Sequence, residues 1–507
     1  MASNTSDGLK RSPDVGTILV VSVVFFALLV GISTALLPQI AVAAVLGIFG
    51  VFLVLYLSLS TLLLSGLILT TVIAGSAEYF AGLSQANWLP YFLALALGFR
   101  GLVEINFGKS IKSGSRNTKA KYGMPIFLIP ALLYLAAMVT STIIAQPPFI
   151  QLFVGAKNYI FMAGVLIAYI AAKNFDATIK STWQVLILVG CIQLPVVLYQ
   201  KFFIASQLSN AGGRSGLSWD AISGTFGGGL LGGHSGAMAL FASFVITICL
   251  IAWRNGNLSL LRLILISVAV LVPIFLGEVK AVVVWLTIAG SLVFIRQIRT
   301  RPLVFLIGML STAAVVGAII FAYNYMYYEG TRSIDLAELY EKQIKYFFDI
   351  NKFNSETRQM GRIGSLAFWW RENEFADITY AIFGHGLGAS RGSSTLAIGE
   401  VARKYTFFID TSSATTLLWD LGVFGLAAFV STLGIAAWEA HRLSLRSELG
   451  PTQKDAAEAV SIGLCLILTT IIYNRDSTDN ASVQFLMFSL LAIVYRLKIS
   501  IPKATLA

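Results

Sequence analysis

Long apolar runs follow one another along the chain, at 16–37, 40–57, 59–75, 87–104, 123–143, 157–172, 181–203, 233–253, 259–276, 280–296, 301–323, 413–438, 457–474 and 479–498. About 20 apolar helical residues cross the hydrocarbon core of a bilayer, so most of these runs have the length of a spanning helix. A membrane β-barrel would instead alternate apolar and polar residues in strands of about ten. The pattern predicts an all-α polytopic membrane protein of about 12–14 transmembrane helices. The stretch from Ile40 to Ala74 is too long for one crossing and contains Ser58, Ser60 and Ser65, so a tight hairpin is expected within it. Gly16 to Leu37 is too long for a signal-peptide core and lacks a small-residue cleavage site, and it reads as a retained first helix.

One segment interrupts the pattern and divides the chain into 1–323, a large loop at 324–412, and C-terminal helices at 413–507. From Tyr323 to Ser412 there are ten Lys/Arg and eleven Asp/Glu, interleaved with Phe347, Phe348, Phe368, Trp369 and Trp370. That mixture can bury an apolar face, and a long loop of this kind is commonly functional. Asp335 to Phe348 and Ile363 to Phe375 space their apolar residues helically, predicting two amphipathic helices that either hug the membrane as a lid or simply cap the bundle.

Composition agrees: 57% hydrophobic and 12% charged residues suit lipid as the solvent. The net charge of +11 is concentrated in segments between runs, at 100–121, 173–180, 254–262, 296–301 and 442–454 and in the tail with Arg496, Lys498 and Lys503. By the positive-inside rule these face the cytoplasm. The segments 204–232 and 324–412, with short connections near Gly277 and from Asn474 to Asp479, then face outward, so an inner-membrane protein with a large extracytoplasmic loop is expected. The charge reads as topology and contact with anionic lipid, with no nucleic-acid partner. Cys191, Cys249 and Cys465 are isolated in apolar runs, and His234, His385 and His441 are scattered, so no metal and no cofactor is expected. Phosphate-loop, zinc-helix and nucleophile-elbow motifs are missing.

Three outer constellations can carry chemistry. Gly212 to Gly236 holds ten glycines in 25 residues, with Arg214 inside it and His234 where the next helix begins. Exposed backbone N–H groups there suit a diphosphate, or the stretch is a flexible turn with a solvated arginine. Glu278 and Lys280 sit at the tip of a helix hairpin, where Lys280 either faces a lipid-linked phosphate or snorkels beside Glu278. In the large loop, Arg362 opens an amphipathic helix, and Phe383-Gly384-His385-Gly386-Leu387-Gly388 precedes Arg391. The flanking glycines should expose the His385 imidazole as a general base, and Arg362 and Arg391 can grip phosphate oxygens.

Gly361-Arg362, then Ile382-Phe383-Gly384-His385-Gly386-Leu387-Gly388, then Asp420-Leu421-Gly422-Val423-Phe424-Gly425-Leu426 resembles the O-antigen ligase and polymerase superfamily of bacterial envelope glycosyltransferases. The resemblance covers residues 180–440 and rests on short motifs. It implies a metal-independent C-type glycosyltransferase that passes a glycan from a polyprenyl diphosphate donor to an acceptor sugar outside the cytoplasmic membrane. It also implies outer-loop cations on the diphosphate, here Arg214, Lys280, Arg362 and Arg391, with Glu278 and His234 in support. A base would deprotonate the acceptor: where the family has a His-Asn pair this chain reads Phe408-Ile409-Asp410-Thr411-Ser412-Ser413, so the expected base is Asp410 or His385. Asp410 can equally be read as the cap of the next helix. Where the family often has an arginine in the short outer hairpin, this chain has Lys280.

The departure from His-Asn tilts the expectation toward a polymerase of O-antigen or exopolysaccharide repeats. A ligase using the same donor, and a flippase for the same lipid-linked glycan, are the alternatives. The expected partners are the donor, a glycan acceptor, membrane lipids and other polysaccharide assembly proteins.

Overall fold

A computed structural model describes residues 50, 52–111, 123–207, 222–229, 232–277, 279–295, 297–328, 348–350, 353–354, 358–373, 377–392 and 396–501. The chain divides into two units, Met1–Ser58 and Leu59–Ala507. In the first, residues 52–56 are helical and the chain leaves helical geometry at Leu57 and Ser58, the point at which the hairpin is expected. The run at 16–37 and residues 40–49 and 51 of the run before this point lie outside the described residues.

The second unit is helical throughout its apolar runs. In chain order the helices are α1 (Leu59–Ala81), α2 (Ser84–Asn106), α3 (Leu128–Ala145), α4 (Phe149–Ala171), α5 (Phe175–Ala205), α6 (Ser235–Arg254), α7 (Leu260–Leu276), α8 (Val282–Phe294) and α9 (Pro302–Tyr328). The loop helices α10 (Arg362–Asn373) and α11 (Ile378–Phe383) follow, then α12 (Ser413–Ser444), α13 (Pro451–Tyr473) and α14 (Ala481–Ser500). Among the described residues nine helices are long and apolar enough to cross a membrane, and shorter apolar helices lie at 260–276, 282–294 and 302–318. The chain is an all-α polytopic membrane protein. Strand pairing among the described residues consists of two short antiparallel pairs, 228–229 with 232–233 and 353–354 with 359–360, and an isolated parallel bridge between Gln359 and Phe408.

Burial sorts the helices. About three quarters of the apolar windows of α6, α13 and α14 are enclosed, against 22% for α3, which turns Ile129, Leu132, Leu135 and Val139 outward. Small residues set the tightest crossing, because helices in lipid gain by close backbone approach. Gly98 and Gly101 of α2 meet Gly164 and Ala168 of α4, and a Cβ at Gly164 would collide with the Ala94 carbonyl.

The segments that carry the basic excess converge at one end of this unit. Arg254 donates to both oxygens of Glu458 at 2.7 and 2.6 Å and to the Val293 carbonyl. Lys498 pairs with Glu439, which also accepts the Ile126 and Phe127 amides at the start of α3. Arg496 reaches the Ile170 carbonyl, and Gln453 bonds Asp176. Each of these charged groups has a hydrogen-bonding or ionic partner, as partial burial requires. The other end holds the loops.

In the large loop, α10 forms where the second amphipathic helix is expected, burying Phe368 and Trp369 against Ile409, Leu418 and Trp419 while Trp370 stays exposed. The helix expected at 335–348 lies outside the described residues except for Phe348.

Replacing Gly164 with valine should lower the melting temperature of the detergent-solubilised protein. Overpacking of this kind costs about 1–3 kcal/mol, and a thermal scan of the purified variant checks it.

Candidate functional site

The site is assembled from a widened helix, a broken helix and three loops. Helix α4 is π-helical over Lys157–Phe161, and the wider turn leaves Lys157, Asn158 and Tyr159 all buried. The Lys157 ammonium lies 4.5 Å from the Trp88 ring centroid and 4.7 Å from that of Tyr91. Asn158 offers its carbonyl to Gln484, and the Tyr159 hydroxyl donates to Asp420 at 2.8 Å.

Asp420 lies in α12 two residues before Gly422, whose φ of +69° breaks the helix. The buried carboxylate accepts the Ser390 amide at 2.8 Å and the Gly388 amide at 3.0 Å. Its own carbonyl accepts the Ser141 hydroxyl and the Gly386 amide. Gly384, Gly386 and Gly388 all have positive φ, and a Cβ on Gly384 would strike the backbone of Asp420 and Leu421. These glycines serve close packing of the loop on α12, and the loop ends by delivering Arg391.

Arg391 enters an ion cluster. It pairs with Asp479 of the 474–480 turn, and Arg475 of the same turn binds Asp410 at 2.5 Å and lies 3.9 Å from Asp479. Tyr91 donates to the Asp479 carbonyl at 3.0 Å. Burial pushes the Asp410 carboxyl above the ordinary carboxylate range, against the pull of Arg475 and Arg391. Burial works the same way on Asp479, but Arg391, Arg475 and Lys157 overcome it and hold that carboxyl far below the usual range. Asp410 Oδ1 is buried with no hydrogen-bond partner among the described residues.

The expected site residues fare differently. Arg362 donates to the Thr411 carbonyl at 2.9 Å, which puts it beside Asp410. The cap of α12 is Ser412, in a reciprocal capping box with Thr415, so the reading of Asp410 as the cap is corrected. His234 lies 3.4 Å from Asp476, whose carboxylate raises the imidazole against the effect of burial. Lys280 is exposed just before α8, and Arg214 and Glu278 lie outside the described residues.

His385 departs from expectation. Its ring stacks on Tyr380 at 4.6 Å beside Trp419, and Nε2 is buried without a partner among the described residues. Burial and Lys404 lower its pKa to about 4. The flanking glycines therefore fold the imidazole in where exposure was expected.

The described part of the glycine-rich stretch is tied down, contrary to the flexible-turn reading. Gln193 accepts the Thr225 amide and donates to its hydroxyl, and Gln200 accepts the Gly224 amide, all at 2.8 Å. Glu78 accepts the Gly228 amide at the same distance.

Sequence reasoning passed over Lys157, Arg475 and Asp479. Their signal was an ionisable residue within or against an apolar run. The chain matches no family model and no curated protein.

Replacing Asp420 with alanine strands the Gly388 and Ser390 amides, and buried unpaired donors cost about 1–3 kcal/mol each. Faster proteolytic nicking near Arg391, at preserved far-UV helicity, is the expected readout. For His385, the imidazole takes up a proton at 6.5 when unfolded but only near 4 when folded. Its contribution to stability is complete above 6.5 and is lost as pH falls toward 4. A His385→Gln variant should show a flatter melting-temperature profile over that window.

Proposed function

We propose that the chain is a periplasmic-facing polymerase of the inner membrane that joins polyprenyl-diphosphate-linked oligosaccharide repeats into an O-antigen or exopolysaccharide. The single observation that carries the reading is the ion cluster in which Lys157, Arg391 and Arg475 act on Asp479, with Asp410 paired to Arg475, lying at the end of the bundle away from the basic loops. The motif resemblance supplies the donor class.

In this reading an acceptor sugar hydroxyl attacks the anomeric carbon of the donor glycan. Its oxygen bonds that carbon as the carbon's bond to the diphosphate oxygen breaks. Asp410 takes the hydroxyl proton and returns it to water, and the polyprenyl diphosphate leaves with its electron pair. Negative charge grows on the leaving group, so fixed cations in a partly dehydrated site stabilise the transition state more than water can. A carboxyl raised by burial is a stronger base once ionised, which suits Asp410 for proton abstraction. Arg362, beside Asp410 through Thr411, is a further contact for the phosphates.

Complementation of a polymerase-deficient strain tests this. Asp410→Asn and Arg475→Gln variants at normal membrane abundance should abolish long surface polymer and leave single lipid-linked repeats on the outer leaflet. Losing one charge-stabilising group at such a site costs about 100- to 1000-fold in rate. Repeats trapped on the cytoplasmic leaflet would identify a flippase, and long lipid-linked polymer that fails to reach its acceptor would identify a ligase.

A further inference from the structure

The pairing of Arg475 with Asp410 is lopsided. Asp410 uses one oxygen, Oδ2, while Oδ1 is buried and has no hydrogen-bond partner among the described residues. The Asp410 side chain is 3% exposed and that of Arg475 is 30% exposed, so Arg475 is the more accessible partner of the pair. Arg475 also lies 3.9 Å from Asp479, which in turn pairs with Arg391. The three cations Lys157, Arg391 and Arg475 thus share Asp479 and Asp410, and Glu78 also acts on Lys157.

We infer that Asp410 occupies an anion site in the ligand-free protein, and that the diphosphate of a lipid-linked donor displaces it from Arg475. This assigns Arg475 and Lys157 as diphosphate-binding residues beside Arg391. It rests on the reading of the donor as a polyprenyl diphosphate. A phosphate presents several charged oxygens to a guanidinium and can bind both its arms, where Asp410 binds through one. An incoming diphosphate meets Arg475, the more exposed partner, and takes the pairing over. Asp410 is then a buried carboxylate without its partner, a costly state that a proton relieves. Donor binding therefore supplies the free energy that turns a paired carboxylate into a base, and no base is freed when the donor is missing.

The exchange makes Asp410 a competitor of the ligand, which a purely supporting residue is not. The test uses full-length protein in detergent and farnesyl diphosphate, a sugar-free probe, so no glycosyl transfer is involved. Asp410→Asn should bind the probe about tenfold more tightly than the native protein, since a charge-assisted hydrogen bond no longer has to be broken. Asp410→Ser should show the same gain, which guards against an artefact of one substitution. Arg475→Gln should weaken binding by about tenfold, and adding Asp410→Asn to it should restore nothing, because the two changes act on one pairing. Unchanged or weaker binding by both Asp410 variants overturns the exchange, as does a gain that persists without Arg475, or a native protein that does not bind the probe. The polymerase reading fails separately, if Asp410→Asn leaves surface polymer intact in cells.

Discussion

The loop-bearing end of this protein depends on a carboxylate placed where a spanning helix breaks. Asp420 accepts two loop amides and the Tyr159 hydroxyl, and its own carbonyl takes an amide and the Ser141 hydroxyl. Gly422 frees the backbone geometry that makes this possible. A helix interior satisfies its own N–H and C=O groups, so only a break leaves a backbone carbonyl free to bind a neighbouring segment. The loop held in this way ends at Arg391, and the cation is positioned by backbone bonds one and three residues earlier.

Burying charge near a membrane is costly, which explains why the cluster is shared. Asp479 answers Arg391 and Arg475, Asp410 answers Arg475 on its other side, and Lys157 is sheltered by the faces of Trp88 and Tyr91. Each group is tolerable because its neighbours are charged. The contrast with the opposite end is instructive. There Arg254 meets both oxygens of Glu458 and a carbonyl, a closed arrangement with little left to offer a ligand. At the loop-bearing end Asp410 keeps one oxygen without a hydrogen-bond partner among the described residues.

The helices were legible in the sequence because a run of apolar residues is a sufficient condition for a spanning helix in lipid. The helix over Arg362–Asn373 was legible too, from the spacing of its aromatics. Arg391 and Asp410 were found as polar residues in outer loops, and the structure brings them into one cluster with groups the sequence hid. Lys157 was hidden because it stands at the margin of an apolar run and owes its inward direction to a π-helical turn, which has no local sequence signal. Arg475 and Asp479 were hidden by distance, since they lie 65 and 88 residues from Asp410 and Arg391 along the chain. His385 was misread because glycine was taken to mean exposure. At Gly384 and Gly386 the missing side chain instead lets the loop press against α12 and against Ala145 and Pro147, carrying the histidine inward.

The same physics bears on which group can act as a base. An imidazole lowered to about 4 is neutral at working pH, but a buried Nε2 stacked among Tyr380 and Trp419 offers a hydroxyl no approach. Asp410 has the opposite balance: burial makes it a reluctant anion and Arg475 makes it an acceptable one. A base so placed is held in check by the cation that a diphosphate would also seek. In the proposed transfer, binding the leaving group and freeing the base are two results of one exchange, and a site built this way needs no separate device to keep its base idle between substrates.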